Sequence, residues 1–326
     1  MEDRSRHRLS RGADSSEAVA LRWLLAGDPA VRWQALRDLV GADSREVSRE
    51  RRRTTREGWV ARLLAKQDAD GRWAGGKSSD GGLYSPKWVS TTYTMLLLRD
   101  LGLPSSHRQA RKACTLLLDR GLQKDGGVNY GWSGSETCVT GMVLSILSFF
   151  EYDDDRLDTL AGHVLERQLP DGGWNCQRRW GATHSSMHTT ISVLEGLRHY
   201  ELLGRGRRTV LRAAERRGRE FLLAHRLFRS HTSGNVIKPI FLRFAFPPRW
   251  HYDVLRGLDH FQAVGAPRDG RLTDAIEIVR AVRNPDGRWP LQHSFRGKTW
   301  FELERVGAPS RWNTLRAMRV LKWWGS

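Results

Sequence analysis

Cysteine is scarce: the chain of 326 residues has three, Cys114, Cys138 and Cys176, in no CxxC pair. Such spacing cannot build a disulfide framework, and a reducing cytosol is the expected setting. Lysine is nearly as scarce, with 8 residues against 46 arginines. No apolar run approaches the roughly 18 residues of a spanning helix, so no transmembrane segment is expected. Residues 1–15 are polar and arginine-rich and lack the apolar stretch of a secretory leader. They read as a disordered basic tail, and 16–326 as a single domain. There is no Gly-x-Ser-x-Gly elbow and no phosphate-cradling P-loop.

What is abundant is arginine, and it leaves a net charge of +18. An anionic partner would answer that charge: a diphosphate, an anionic lipid in peripheral contact, or an acidic polymer. The densest run, Arg45 to Arg56, is interleaved with Glu46, Glu50 and Glu57. Helical spacing pairs Glu46 with Arg49, Glu50 with Arg53, and Arg53 with Glu57, as on a charged outer helix face. No aromatic residues interleave with the basic ones as in a nucleic-acid groove, so no nucleic-acid partner is expected.

One pattern recurs: an apolar helical run, then Asp-Gly, then tryptophan. It appears at Asp70-Gly71-Arg-Trp73, Asp171-Gly172-Gly-Trp174 and Asp286-Gly287-Arg-Trp289, with a looser copy at Asp125-Gly126. The steps between these aspartates are 55, 46 and 115 residues, so a degenerate copy belongs inside the last interval, near Phe221–Phe228. Repeats of this period mean a helical array or a closed toroid. Each repeat reads as two helices. First members are expected near 57–67, 106–121, 156–168, 208–226 and 272–283. Second members are expected near 88–101, 136–150, 186–201, 250–264 and 310–324, after an upstream pair at 16–26 and 30–40. Six pairs suffice for an all-α α/α toroid. Turns from second to first members are short and those on the Asp-Gly-Trp side are long. The long connections therefore share one rim, around the N-termini of the inner helices.

These turns resemble the Gln-Trp repeats of squalene cyclases, and the organisation resembles the terpenoid cyclase and protein prenyltransferase toroid superfamily over roughly 57–325. The resemblance implies an isoprenoid or other apolar substrate, with or without a diphosphate, in the toroid bowl. For the prenyltransferase branch it implies a helical partner subunit. Squalene-type cyclases protonate an alkene with an Asp-x-Asp-Asp acid. The nearest string here, Tyr152-Asp153-Asp154-Asp155, lacks that spacing, and Asp155 is placed to cap the helix from Arg156. No Asp-Asp-x-x-Asp motif is present.

Aligning the inner helices by Leu98, Leu144 and Leu194 places Thr92, Cys138 and His188 at one height. Cys138 and His188 are thus candidate zinc ligands, with Glu136 beside Cys138 and with Cys176 and His184 from the intervening connection. Glu136-Thr-Cys138 and His188 resemble the prenyltransferase zinc site, where the metal activates an acceptor thiol. Glu136, His184 and Asp253 are the candidate catalytic groups. Trp88, Tyr93, Trp132, Trp174, Arg249, Trp250, His251, Arg311, Trp312 and Asn313 are the candidate substrate-binding residues of the rim, where aromatic faces can hold a cation or an isoprenoid chain. Two alternatives compete: a non-catalytic toroid binding a protein or anionic polymer, and a toroid polysaccharide lyase using Glu136, Asp253 and Glu302.

Overall fold

The computed structural model describes residues 16–74, 78–131 and 134–325, so the expected basic tail and Trp132 lie outside the described residues. Helix α1 spans 16–25. It is followed by α2 (Pro29–Ala35), α3 (Ser44–Arg53), α4 (Gly58–Leu64), α5 (Thr91–Leu101), α6 (Arg108–Gly121), α7 (Thr137–Phe149), α8 (Arg156–Glu166), α9 (Met187–Leu202), α10 (Arg208–Ala224), α11 (Val254–Ala263), α12 (Thr273–Ala281) and α13 (Arg311–Trp324). Among the described residues the only extended pairings are isolated bridges, and no helix is long and apolar enough to cross a membrane.

Helices α5, α7, α9, α11 and α13 pack in sequence, and α13 meets α2. The ring closes where the Trp33 indole donates to the Leu101 carbonyl and Gln34 to the Asp100 carbonyl, joining α2 to α5. The remaining helices lie outside. The sequence pattern explains the split. Inner helices α5 and α7 are buried nearly all round, whereas outer helix α6 buries one stripe (Ala110, Ala113, Cys114, Leu117). Between α7 and α9 the backbones come close at Gly141 and Gly196. A Cβ on Gly196 would stand 2.5 Å from the Gly141 carbonyl oxygen.

The Asp-Gly-Trp turns are joints. Gly71, Gly172 and Gly287 have φ of +98°, +95° and +83°, a region that favours glycine. The indole of each tryptophan folds back onto the outer helix: Trp73 donates to Leu63, Trp174 to Val164 and Trp289 to Val279. Gln67 and Gln168 each reach the next outer helix, donating to the Gln109 and Ala214 carbonyls. The backbone N–H of each tryptophan then donates to a threonine on the inner helix: Thr91, Thr190 and Thr314, with Val128 and Thr140 the fourth instance. One turn therefore ties together its own outer helix, its own inner helix and, in two repeats, the next outer helix. In the degenerate repeat, Tyr252 supplies its hydroxyl to the Leu227 carbonyl.

The threonine ladder corrects the expected register. It puts Thr91, not Thr94, level with Thr140 and Thr190, so α5 is displaced by nearly one turn, about 4.5 Å. Thr92 therefore does not share the height of Cys138 and His188. Two inner helices also begin later than expected. Trp88 precedes α5 because its N–H donates to Lys298 O and its indole to the carbonyls of Phe295 and Arg296. Trp250 and His251 precede α11, which starts only where the Asp253 side chain accepts from Arg256 N at 2.8 Å. The expected cap at Asp155 falls to Asp154, which accepts from Arg156 N, while Asp155 pairs with Arg205.

Candidate functional site

The bore of the ring is built in two storeys. At the long-connection rim, aromatic and sulfur-bearing residues converge. The His251 ring is stacked between Phe295 (3.6 Å, 6°) and Trp250 (3.7 Å, 25°). Trp250 and His251 also meet His188 edge-on, at 5.1 and 5.7 Å. Trp88 packs edge-on against Tyr93 at 4.8 Å and lies under the Arg249 guanidinium. The Lys87 ammonium stands 5.2–5.7 Å from the rings of Tyr84, Trp88 and Trp250. Burial lowers His188 to about 4 and His251 to about 3, so both rings are neutral near pH 7. Burial also lowers Arg249 to about 10.

Beside this cluster lie the thiols. Cys138, in the first turn of α7, has its Sγ 3.9 Å from Glu136 Oε2. Its thiol donates to that carboxylate, and the influence of the two thiols on each other lowers Cys176 to about 6 and raises Cys138. Glu136 lies against Cys138, but the other expected zinc ligands are turned to other partners or to solvent. His188 Nδ1 accepts from the Tyr252 backbone N–H at 2.8 Å, and His184 is exposed. Among the described residues no three His, Cys, Asp or Glu side chains are arranged to hold a metal.

The second storey is a cavity of about 530 Å³ at the C-terminal ends of the inner helices. Its lining includes six arginines (Arg37, Arg99, Arg198, Arg256, Arg316, Arg319) and four carboxylates (Asp38, Asp100, Glu195, Asp259). Trp33, Phe149, Leu202, Phe246 and Trp312 give it apolar walls. Glu195 is the keystone. It accepts from Arg256 at 2.8 and 2.9 Å and from Arg99 at 3.3 Å. Burial opposes its ionisation, yet Arg256 and Arg99 hold its carboxyl well below the usual range. Asp259 accepts both Arg316 and Arg319, and Arg319 reaches on to Asp38. Arg198 differs: it donates to the Ala263 carbonyl and, among the described residues, makes no ion pair within 4 Å. Burial lowers its pKa, with carboxylates opposing and Arg37 and Arg99 adding to the fall. Burial likewise lowers His199 and His260 to about 3, and among the described residues the buried Nε2 of His260 has no hydrogen-bond partner. Arg256 connects the storeys, donating to the carbonyls of His251 and Arg249.

The other residues expected at the rim go elsewhere. Trp174 is fully buried against Val164 and has no face left for a ligand. Asp253 is a buried helix cap bonded to Arg256 N and Ala245 N, which commits both carboxylate oxygens. Arg311 lies over Trp23, and its N–H donates to Glu304. Asn313 donates to Pro290 O within the core. Trp312 stacks on Phe246 at 4.4 Å and faces the cavity rather than the rim. Sequence reasoning missed Arg99, Glu195, Arg198, Arg256 and their partners. The available signal was a charged residue inside an otherwise apolar inner helix, such as Glu195 after Ile191-Ser-Val-Leu194.

No protein-family model matches the chain, and no curated protein matches its sequence. Solved structures with a similar fold include a protein from Actinoplanes, 16% identical, with 96% of this chain and 100% of that one aligned and a TM-score of 0.49. A point variant of the type II terpene cyclase MstE from Scytonema is 17% identical over 87% of this chain and 80% of that one, with a TM-score of 0.43. A second MstE variant, in complex with geranylgeranyl dihydroxybenzoate, is 12% identical over 80% and 92%, with a TM-score of 0.34.

Proposed function

We propose that the chain binds and acts on an isoprenoid-like small molecule with an anionic head, seated in the central cavity. The observation that carries this reading is the cavity's composition: arginines outnumber carboxylates six to four, beside walls of Trp33, Phe149, Phe246 and Trp312. Its volume of about 530 Å³ lies within the span of ~300–1,000 Å³ usual for small-molecule sites. Five of the six arginines, Arg37, Arg99, Arg256, Arg316 and Arg319, are paired with Glu195, Asp100, Asp259 or Asp38, which fixes their side chains and offsets their charge. Arg198 has no ion pair within 4 Å among the described residues, and a diphosphate or carboxylate head would supply one. The aromatic walls would take the hydrocarbon part by apolar burial.

Calorimetric titration tests the reading with farnesyl diphosphate, farnesol and inorganic diphosphate as probes. Farnesyl diphosphate should bind tightest of the three and weaken as salt rises. Arg198→Gln should lower its affinity by roughly tenfold or more, the loss of one charge-assisted contact. Absence of binding by any prenyl compound, or indifference to Arg198→Gln, contradicts the proposal.

A further inference from the structure

An arginine held by main-chain carbonyls rather than by carboxylates keeps its charge uncompensated, and outside the cavity one cluster has that arrangement. A pocket of about 80 Å³ lies where the Asp125-Gly126 turn meets the end of α8 and the following long connection. Arg167, Arg178 and Arg179 line it together with Ser135, Thr137 and His163, and Asp125 is the one carboxylate among its lining residues. Arg178 donates to the Glu166 carbonyl at 3.2 Å. Arg179 donates to the Gly134 carbonyl at 3.0 Å, with its guanidinium over the Trp180 ring. Among the described residues Arg178 makes no ion pair within 4 Å, and Arg167 reaches only Asp125, at 3.8 Å. Asp125 is already engaged: its side chain accepts from Ser135 Oγ at 2.7 Å and from the Gly127 N–H at 3.4 Å. His163 is 4% exposed, its Nδ1 donates to the Asp125 carbonyl at 2.8 Å, and its Nε2 lies 3.0 Å from Ser135 Oγ. The wall is thus fixed in advance, with three guanidiniums to one committed carboxylate.

We propose that this pocket binds a phosphate group, either the free ion or a group carried by a small molecule. Its volume suits one tetrahedral oxyanion and falls far below the roughly 300–1,000 Å³ of a drug-sized site. Phosphate oxygens take several N–H donors at once, and the guanidinium fork matches them in pairs. Ser135 and Thr137 add hydroxyls on the same wall. The partners come from three segments: Ser135 from the connection before α7, Arg167 from the end of α8, and Arg178 and Arg179 from the connection after it. A bound phosphate would therefore tie two long connections to an outer helix. Trp180, 66% exposed and next in sequence to Arg179, offers an aromatic ester a ring to lie against. The site is separate from the proposed head-group site, since the pocket and the central cavity share no lining residue.

Calorimetric titration of the full chain at constant ionic strength, with sodium phosphate, sodium chloride and phenyl phosphate, tests the site. Phosphate should bind saturably with a Kd of roughly 1 mM or tighter, and chloride should not. Arg198→Gln should leave this binding in place, which separates the pocket from the cavity. Arg178→Gln should weaken it by roughly tenfold, Arg178→Lys by less, and Arg167→Gln combined with Arg178→Gln should abolish it. In wild-type protein alone, phosphate but not chloride should slow hydrogen exchange in peptides covering 125–137 and 163–180, a readout that does not depend on any variant folding. Phenyl phosphate that binds at least as tightly as the free ion identifies a carried group, and its exclusion identifies the free ion; either supports the pocket. Phosphate heats no different from chloride, binding undiminished in the double variant, binding lost in Arg198→Gln, or protection confined to other peptides overturns the proposal.

Discussion

Replacing Glu195 with glutamine removes one charge and leaves the shape of the side chain nearly intact. Arg256, whose side chain is 4% exposed, then loses its anion, and Arg99, at 9%, loses the weaker of its two. Removing one partner of a buried ion pair costs ~3–5 kcal/mol. Glu195 is itself 19% exposed at the cavity wall, Gln retains an acceptor oxygen, and Asp100 still pairs with Arg99. We therefore expect Glu195→Gln to lower unfolding free energy by about 2–3 kcal/mol at pH 7. The pH dependence supplies an independent check. A carboxyl held below its unfolded value contributes stability in full above that value, near ~4.3, and loses it as pH falls through the folded pKa. The gap between wild type and variant should therefore be flat from neutral pH down to about 5 and close in acid. Denaturant unfolding monitored by tryptophan fluorescence at a series of pH values measures both features. A variant within ~0.5 kcal/mol of wild type at pH 7, or a gap that persists undiminished in acid, would refute the keystone role.

Burial lifts the Glu215 carboxyl to about 7, so its contribution declines as pH rises from near ~4.3 through that value. Glu215→Gln should be more stable than wild type at pH 8 by on the order of 1–3 kcal/mol, with the advantage fading toward pH 5 in the same unfolding assay. Gly172→Ala and Gly181→Ala both strain a positive φ, but only the first drives a Cβ to 2.5 Å from a backbone oxygen, that of Arg217. Chemical denaturation should show a loss of about 2–4 kcal/mol at Gly172 and about 1 kcal/mol at Gly181. Trp174→Phe deletes the indole N–H that satisfies Val164 O and should cost ~1–3 kcal/mol by the same measurement.

The repeat, the pairing of helices and the asymmetry of the connections were all legible, because each depends on local signals. Asp-Gly ends a helix through a left-handed glycine, and tryptophan marks the joint. The register of α5 was not legible, since aligning leucines selects Leu98 as the counterpart of Leu144, whereas the threonine ladder sets Met95 at that height. Only the threonine hydrogen bonds decide it. Trp88, Tyr93, His188, Arg249, Trp250 and His251, singled out from the sequence, touch one another through ring and guanidinium contacts. Roles were harder, because whether His188 faces a ligand or the Tyr252 N–H depends on a connection dozens of residues away. The charged cavity escaped notice for the same reason. Glu195, Arg99 and Arg256 lie far apart in sequence, and each alone looks like a misplaced surface residue.

Photoaffinity labelling tests the central claim most directly, with a farnesyl diphosphate analogue carrying a benzophenone in its chain and the adducts mapped by peptide mass spectrometry. The account predicts labels on the peptides bearing Phe149, Phe246 and Trp312, competed away by farnesyl diphosphate and lost in Arg198→Gln. Labels confined to the rim around Trp88 and Trp250, or to the outer helices, would contradict it.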